Sequence, residues 1–268
     1  MKIIALVENT TTHNDIDTEH GLSLYIEANG CKILFDMGQS DMFARNAGKL
    51  GVDLSQVDIC VLSHGHYDHG GGIRTFLEIN NKAKVYLNEN AFGAHYNGTE
   101  KYIGLDTSLL SDEELLENRI VMVKDEGLEL ADGLKLYSCN EKSKEYDLGS
   151  FGLTMLEEGE FKDEDFRHEQ YLLIEEEGKK ILISGCSHKG IVDIVNWFKP
   201  DVLVGGFHFM KLSPEEDMDV LMDAAAKLMA NKTKYYTCHC TGCEQFDFLK
   251  NIMDEQVEYI GAGDVILI

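Results

Sequence analysis

The chain is poor in basic residues, and this shortage bears on the kind of partner that it can bind. Its 268 residues include 24 Lys and Arg against 48 Asp and Glu, which gives a formal charge of −24. The longest basic clusters, Lys179-Lys180 and Lys232-Thr233-Lys234, are short. Because an acidic surface repels a phosphate backbone, the composition argues against a nucleic-acid partner and favours a small-molecule substrate.

Long apolar runs and a disulfide framework are also lacking. No apolar run reaches the roughly 18 residues that a membrane-spanning helix needs, and the apolar start at residues 3–7 ends too early for an export signal. The seven cysteines are an odd number, which does not fit the paired set of a small secreted domain. We therefore expect a reduced, cytoplasmic protein that does not enter membranes.

The scarcity of proline and of linker sequence predicts one compact domain over residues 1–268. Only Pro200 and Pro214 occur, and no Gly/Ser-rich tract divides the chain. A polar, weakly periodic stretch over 91–118 is interpreted as an insertion in that domain, with some helix near 111–117.

The order of the predicted strands and helices indicates the architecture. Short β-rich runs fill the first third, more strands are predicted in the middle, and helices alternate with strands in the last third. An α/β fold with two packed mixed β-sheets and helices on both outer faces, an αββα sandwich, accounts for this order. Helices are predicted over 41–50, 73–79, 188–198, 214–230 and 244–253.

The most informative segment follows the predicted strand at 58–62. Imidazole and carboxylate groups are ligands that divalent transition metals prefer, and glycines let the backbone turn so that alternate side chains converge. Two ions about 3.5–4 Å apart can share a hydroxide and stabilise an oxyanion, as in two-metal hydrolysis. A histidine-rich surface loop without a metal fits the strand–turn–helix context less well. The segment reads Ser63-His64-Gly65-His66-Tyr67-Asp68-His69-Gly70-Gly71, and it predicts one ion on His64 and His66 and a second on Asp68 and His69.

This segment resembles the His-x-His-x-Asp-His motif of the metallo-β-lactamase-fold hydrolases. Residues 34–38 are similar to an early strand and turn of that superfamily. The resemblance covers nearly the whole chain and implies the metallo-β-lactamase fold, with a dinuclear metal site at one edge of the sandwich. Further segments resemble its dihydropterin-ribofuranosylaminobenzene-phosphate-synthase-like branch, and more distantly the phosphorylcholine esterases: residues 19–23, 183–190, 205–208 and 236–242.

The resemblance implies a further ligand near the carboxyl end of the chain. His239 occupies the place of the superfamily's last histidine, so we expect it to join Asp68 and His69 at the second ion. The alternative for this segment is a small zinc or redox cluster within residues 238–243. Such zinc sites usually draw their ligand pairs from two separate segments, which argues against this alternative.

Two histidines compete for the remaining place at the first ion. The superfamily's usual third-motif histidine precedes the strand at 180–184, as His168 does, whereas His188 follows that strand. His188 is favoured because His168 lies in an acidic stretch that is typical of a solvated turn. Cys186 stands where the superfamily usually carries a bridging aspartate, and it can be either a thiolate ligand or a buried, inert thiol.

Asp68 and His208 are expected to act in catalysis. Asp68 can orient the attacking metal-bound hydroxide and take up its proton, whereas His208 can stabilise the oxyanion, act as a general acid or hold a substrate anion. A core histidine without such a role is an equal alternative for His208 and the favoured one for His20. Zinc is the expected metal because the ligands are rich in imidazole, and iron or manganese can bind the same set.

The predicted activity is metal-dependent hydrolysis of a small phosphoester metabolite. Two divalent ions attract a small phosphorylated molecule even though the surface as a whole is acidic. The alternatives are a synthase-type role in a pterin pathway, which follows from the branch name alone, lactone or thioester hydrolysis, and non-catalytic metal binding. A di-iron protein that reduces oxygen or nitric oxide would carry an acidic residue in place of His66. Substrate choice is expected to depend on the loops at 91–118 and 147–168.

Overall fold

Eighteen β-strands and seven α-helices are formed by residues 1–124 and 126–268, which the computed structural model describes. Among these residues, no helix has the length and hydropathy needed to cross a membrane. The strands are, in chain order, β1 (Lys2–Val7), β2 (Ser23–Ala28), β3 (Cys31–Phe35), β4 (Ile59–Val61), β5 (Lys84–Asn88), β6 (His95–Asn97), β7 (Lys101–Tyr102), β8 (Ile120–Val123), β9 (Leu128–Ala131), β10 (Leu134–Tyr137), β11 (Leu153–Glu157), β12 (Glu160–Asp163), β13 (Tyr171–Glu176), β14 (Lys179–Ile183), β15 (Val202–Val204), β16 (Lys234–Thr237), β17 (Val257–Tyr259) and β18 (Val265–Leu267). The helices are α1 (Met42–Lys49), α2 (Tyr67–Gly70), α3 (Ile73–Ile79), α4 (Glu113–Asn118), α5 (Ile191–Phe198), α6 (Met218–Met229) and α7 (Cys243–Met253).

The strands form two seven-stranded sheets and one four-stranded sheet. The first sheet has the order β18-β1-β2-β3-β4-β5-β8, the second β17-β16-β15-β14-β13-β10-β9, and the small sheet β12-β11-β6-β7. Strands β3, β4, β5 and β8 are parallel neighbours in the first sheet, and β14 to β17 are parallel neighbours in the second. Since the carboxyl ends of parallel strands meet at one edge of a sheet, the loops that follow these strands are brought together.

Side chains of the two large sheets pack into three apolar layers. Strand β2 shows how the alternation of side chains divides them, because Leu24 and Ile26 face the layer between the sheets while Tyr25 faces the helices outside. Helices α1 and α3 cover the outer face of the first sheet, and α5, α6 and α7 cover that of the second. The predicted αββα sandwich is therefore confirmed.

Two helices begin later than the sequence pattern predicts. Helix α5 begins at Ile191 instead of residue 188, because Gly190 has a φ of 100°, which lies outside the α-helical region. Helix α6 begins at Met218 instead of Pro214. The residues between form a separate turn, in which two backbone N–H groups donate hydrogen bonds to the hydroxyl of Ser213.

The segment predicted as an insertion contains more regular structure than expected. Strands β6 and β7 pair as a hairpin, and β11 joins them to a second hairpin with β12. The segments 91–118 and 147–168 therefore build one sheet together. Its strands are two to five residues long and rich in polar residues, and the two hairpins join through the distant pair β6 and β11, so alternation of apolar residues does not reveal them.

Helix α3 offers a matched pair of isoleucines that tests this packing. Ile73 is 1% exposed in the layer outside the first sheet, whereas Ile79 is 42% exposed. Because Ile73→Ala leaves a buried cavity, we expect it to lower the free energy of unfolding by about 2–5 kcal/mol. Ile79→Ala should change that free energy by less than about 0.5 kcal/mol. Urea denaturation measures both values, and equal losses would contradict the assignment of this layer.

Candidate metal centre

The predicted metal ligands meet at one edge of the sandwich, where strands of both large sheets end. The histidine-rich segment follows β4, while later ligands follow β14 and β16. Loops that are far apart in the sequence converge here because parallel strands end side by side. A cavity of about 190 Å³ at this edge is lined by side chains from both sheets, among them His66, Asp68, Cys186, His188 and His239.

His64, His66 and His188 form the first group of potential ligands. One ring nitrogen of each lies within 4.8 Å of the others. His64 Nε2 and His188 Nε2 are 3.3 Å apart. Burial lowers the pKa of all three rings well below the ordinary value, so that they are neutral at pH 7 and can act as ligands.

The second group surrounds His69. Its Nε2 lies 3.3 Å from Nε2 of His239 and 3.2 Å from Sγ of Cys186. Asp68 Oδ2 lies 3.3 Å from His239 Nε2. Burial raises the pKa of Asp68, but the nearby imidazoles of His69, His20 and His239 lower it by more, so the carboxyl is ionised.

Hydrogen bonds determine which ring nitrogen of His64 and of His69 carries the lone pair. Ser63 Oγ donates its only hydrogen to Asp36 Oδ2 at 2.7 Å, so its 2.7 Å contact with His64 Nδ1 must be an N–H donated by the ring. His69 Nδ1 donates to the same Asp36 oxygen at 2.6 Å. The Nε2 atoms of both histidines therefore carry lone pairs that are available for a cation.

His239 is oriented in the same way and completes a site that fits a divalent metal ion. Its Nδ1 donates to Asn9 Oδ1 at 2.8 Å, which leaves a lone pair on Nε2. Nε2 of His69 and Nε2 of His239 then face each other across 3.3 Å, and a proton or a metal ion between them would join the two rings. Burial lowers the pKa of His69, but the carboxylates of Asp36 and Asp68 raise it by more than burial lowers it. The surroundings therefore favour positive charge at this point.

Two further buried carboxylates hold the loops that carry the later ligands. Glu8 Oε1 accepts the backbone N–H of His239 at 2.6 Å, and Glu169 Oε1 accepts that of His188 at 2.7 Å. Both carboxylates are fully buried. The sequence reasoning missed them, although Glu8 directly follows the first strand and a polar residue at a strand end is a signal that could have drawn attention to it.

His168 is buried, so the prediction of a solvated turn around it is wrong. The acidic pattern misleads because Glu164 and Glu169 are themselves buried. His168 Nδ1 accepts the backbone N–H of Gly65 at 2.8 Å, and Nε2 lies 3.6 Å from Glu164 Oε1. The structure thus brings His188, and not His168, into the first ligand group.

Three other histidines lie at or near the cavity. His20 is not a core residue, since its side chain is 45% exposed and lines the cavity. His95, to which the sequence reasoning assigned no role, is buried and donates from Nδ1 to Glu164 Oε2 at 2.6 Å. His208 packs on His188 with ring centroids 4.2 Å apart. Both ring nitrogens of His208 are buried without a hydrogen-bond partner in the described part of the chain, so they are available to a substrate.

The cysteines at 238–243 do not gather into the alternative zinc cluster. Cys238 lies in the core between the sheets, and Cys243 is exposed, with Sγ 4.0 Å from the hydroxyl of Tyr259. Cys240 lines the cavity instead, where its thiol donates to the backbone oxygen of Cys186 at 3.4 Å.

Four residues of this centre have left-handed backbone conformations. Their φ values are 60° at Asp36, 59° at Ser187, 57° at His208 and 50° at His239. Non-glycine residues rarely adopt positive φ, and each such conformation costs on the order of 1–3 kcal/mol. Eight further non-glycine residues in the described chain also have a positive φ, so these four conformations orient their side chains without by themselves marking the centre.

Comparison with known proteins gives similarities over nearly the whole chain. The family model of the metallo-beta-lactamase superfamily matches residues 16–236. A 7,8-dihydropterin-6-methyl-4-(beta-D-ribofuranosyl)-aminobenzene-5'-phosphate synthase from Methanocaldococcus jannaschii is 30% identical, over 99% of this chain and 96% of the relative. An uncharacterised protein of the same organism is also 30% identical, over 79% of this chain and 81% of its own length. The crystal structure of Tm1679, a metal-dependent hydrolase of the beta-lactamase superfamily, has a TM-score of 0.82 and 30% identity, and covers 100% of this chain and 99% of its own.

Zinc added to chelator-stripped protein should stabilise it, because Nε2 of His69 and Nε2 of His239 converge at a point where the surroundings favour a cation. A ligand that binds only the folded state adds about 2.7 kcal/mol to the free energy of unfolding at 100 times its Kd. His69→Gln should lose the part of this gain that comes from the ion held by His69 and His239. His13→Gln, which alters an exposed histidine paired with Asp264, should keep it. Urea denaturation with and without zinc measures the gain, and an equal gain in both variants would place the zinc elsewhere.

Proposed function

The chain belongs to the metallo-beta-lactamase superfamily, and from that membership we propose that it is a metal-dependent hydrolase with two divalent ions, zinc by preference. The observation that carries this proposal is the convergence of imidazole nitrogens, above all Nε2 of His69 and Nε2 of His239, which lie 3.3 Å apart. The proposed ligands of the first ion are His64, His66 and His188. Those of the second are Asp68, His69 and His239, with Cys186 between the two groups.

Residues around the cavity would supply the proton transfers. Two bound divalent ions would act as Lewis acids and lower the pKa of a coordinated water. Asp68 is ionised and opens onto the cavity, so its carboxylate can orient a water molecule and accept its proton. His20 Nε2 lies 3.3 Å from Asp68 Oδ2 at the partly exposed rim and can pass that proton to solvent. His208 can donate a hydrogen bond to the oxyanion.

The lining of the cavity supports a small phosphoester as the substrate. Lys101 and Lys211 are its cationic lining residues, and they can hold an anionic group outside the metal ligands. Ile103 and Leu153 add an apolar wall that suits the body of a metabolite. A cavity of about 190 Å³ has room for a small molecule.

Metal content tests the proposed ligands. Protein purified without chelator should contain close to two transition-metal equivalents by elemental analysis. His188→Ala should lose one equivalent and most of its hydrolytic turnover, because it removes an imidazole that lies 3.3 Å from His64. His13→Gln serves as the control and should keep both. An absence of metal, or two equivalents retained in His188→Ala, would contradict the assignment.

A substrate panel tests the chemistry. We expect phosphodiesters or phosphomonoesters to be hydrolysed faster than thioesters, lactones and β-lactams, with zinc, manganese or iron supplied in turn. Lys211→Ala should raise KM for the phosphoester and keep both metal equivalents. Lys162→Ala, at an exposed ion pair with Glu157, should behave as wild type. A lactone or thioester that reacts far faster than every phosphoester would contradict the proposed substrate class. The proposal of a metal-dependent hydrolase would still stand.

A synthase-type role in a pterin pathway is the second candidate. The observation that favours it is the 30% identity, over 99% of the chain, to a protein named as a dihydropterin-ribofuranosylaminobenzene-phosphate synthase. Zinc-loaded protein can be incubated with a ribofuranosylaminobenzene phosphate and a reduced pterin whose 6-methyl carbon carries a phosphate ester, which leaves as the amine nitrogen bonds to that carbon. Mass spectrometry then analyses the mixture. A joined product would establish the synthase role, whereas phosphoester cleavage without a joined product would support the hydrolase.

A further inference from the structure

Two thiols approach each other in the wall of the cavity. Cys186 follows β14, Cys240 follows β16, and both line the cavity. Their Sγ atoms lie within 4.8 Å of each other, and the thiol of Cys240 donates to the backbone oxygen of Cys186 at 3.4 Å. Both side chains are buried, and neither cysteine is in a disulfide. The proposed proton transfers use neither thiol.

The end of strand β15 explains how the two thiols come so close. Strand β15 lies between β14 and β16 in the second sheet, so the two side chains meet across its carboxyl end. Gly206 follows this strand, and a Cβ added there would lie 2.3 Å from Sγ of Cys240. The N–H of Gly206 donates to the backbone oxygen of Gly185 at 2.8 Å, which holds the loops together. A glycine at residue 206 therefore leaves the space through which Cys240 reaches Cys186.

The other five cysteines lie in different parts of the molecule. Cys238 packs in the apolar layer between the sheets, Cys60 in the layer outside the first sheet and Cys139 in the layer outside the second. Cys31 is half-buried at the start of β3, and Cys243 is exposed. A small oxidant that enters the cavity therefore meets Cys186 and Cys240 together.

We propose that Cys186 and Cys240 form an oxidation site, at which hydrogen peroxide converts the two thiols into an internal disulfide. One cysteine, as its thiolate, attacks a peroxide oxygen, so that the O–O bond breaks and a sulfenic acid and a hydroxide ion form. The second thiol attacks the sulfur of the sulfenic acid, the S–S bond forms and the S–O bond breaks. The two thiol protons end on the departing oxygens, so two thiols and one peroxide become one disulfide and two waters. Two electrons pass from sulfur to the peroxide.

The disulfide would oppose metal binding, and this part of the inference rests on the proposed metal-dependent function. Sγ of Cys186 lies within 4.8 Å of a ring nitrogen of His64 and of His69, so it stands beside ligands of both proposed ions. A thiolate can bind a metal ion, whereas the sulfur of a disulfide carries no negative charge. Since coupling between two binding events is reciprocal, bound zinc should hinder oxidation and oxidation should weaken the binding of zinc.

Peptide mapping of wild-type protein tests the oxidation site. Protein stripped of metal with a chelator is treated with hydrogen peroxide, its free thiols are alkylated in denaturant, and the digest is analysed by mass spectrometry. We expect a cross-linked peptide that joins Cys186 to Cys240 and that disappears after reduction. Cys240→Ser should not form this cross-link, whereas Cys243→Ser, altered at an exposed thiol, should form it as wild type does.

Three results would overturn the oxidation site in wild-type protein. The first is that both thiols remain free for alkylation after treatment with peroxide. The second is that peroxide joins a different pair of cysteines. The third is that the two thiols are oxidised without being joined to each other.

Zinc separates this inference from the proposed function. Zinc added before the peroxide should prevent the cross-link, and cross-linked protein should lose at least one of the two zinc equivalents that reduced protein binds. Elemental analysis after gel filtration measures this loss. Cross-linked protein that keeps both equivalents would overturn the competition and leave the hydrolase in place. Reduced protein that binds no zinc would contradict the hydrolase and with it the competition, whereas the cross-link alone decides the oxidation site.

Discussion

A carboxylate buried in a protein interior is stable only where hydrogen bonds or positive charge compensate for the water that it has lost. Besides the proposed ligand Asp68, the described chain buries four of them beside its histidines, and most of the groups that satisfy them belong to the candidate metal centre. Asp36 accepts the ring N–H of His69. Glu169 accepts the backbone N–H of His188, and Glu8 accepts that of His239. The bonds that make burial tolerable are therefore the bonds that orient the ligands. The four carboxylates are Glu8, Asp36, Glu164 and Glu169.

The same constraint links metal binding to the stability of the fold. Among the described residues, the one buried lysine that could balance these carboxylates is Lys189. Its ammonium group already donates hydrogen bonds to Ser138, Asn140 and Glu169. Positive charge in the centre is thus scarce within the described residues. A divalent ion placed between the histidines would compensate for the buried carboxylates, and its binding free energy would then become part of the free energy of folding.

The sandwich and the histidine-rich segment could be predicted because both have local signals. Apolar strands, helix periodicity and the run from His64 to His69 are visible within short windows of sequence. The surroundings of His66 could not be predicted in this way. His95 and His168 are polar residues in polar segments, and only pairing between distant strands buries them. An acidic stretch such as 161–169 looks solvated unless the sequence reveals the partners that satisfy its buried carboxylates.

The four-stranded sheet has a consequence for how this protein can be altered. Strand β6 carries His95, and Glu164 directly follows β12, so the two hairpins meet behind the histidines. The same hairpins contribute Asn97, Lys101 and Leu153 to the cavity wall. Grafting one hairpin from a relative would leave the other without its hydrogen-bonding counterpart. A change of substrate range by loop exchange therefore requires both hairpins to be transplanted as one module, and natural divergence at this wall is constrained in the same way.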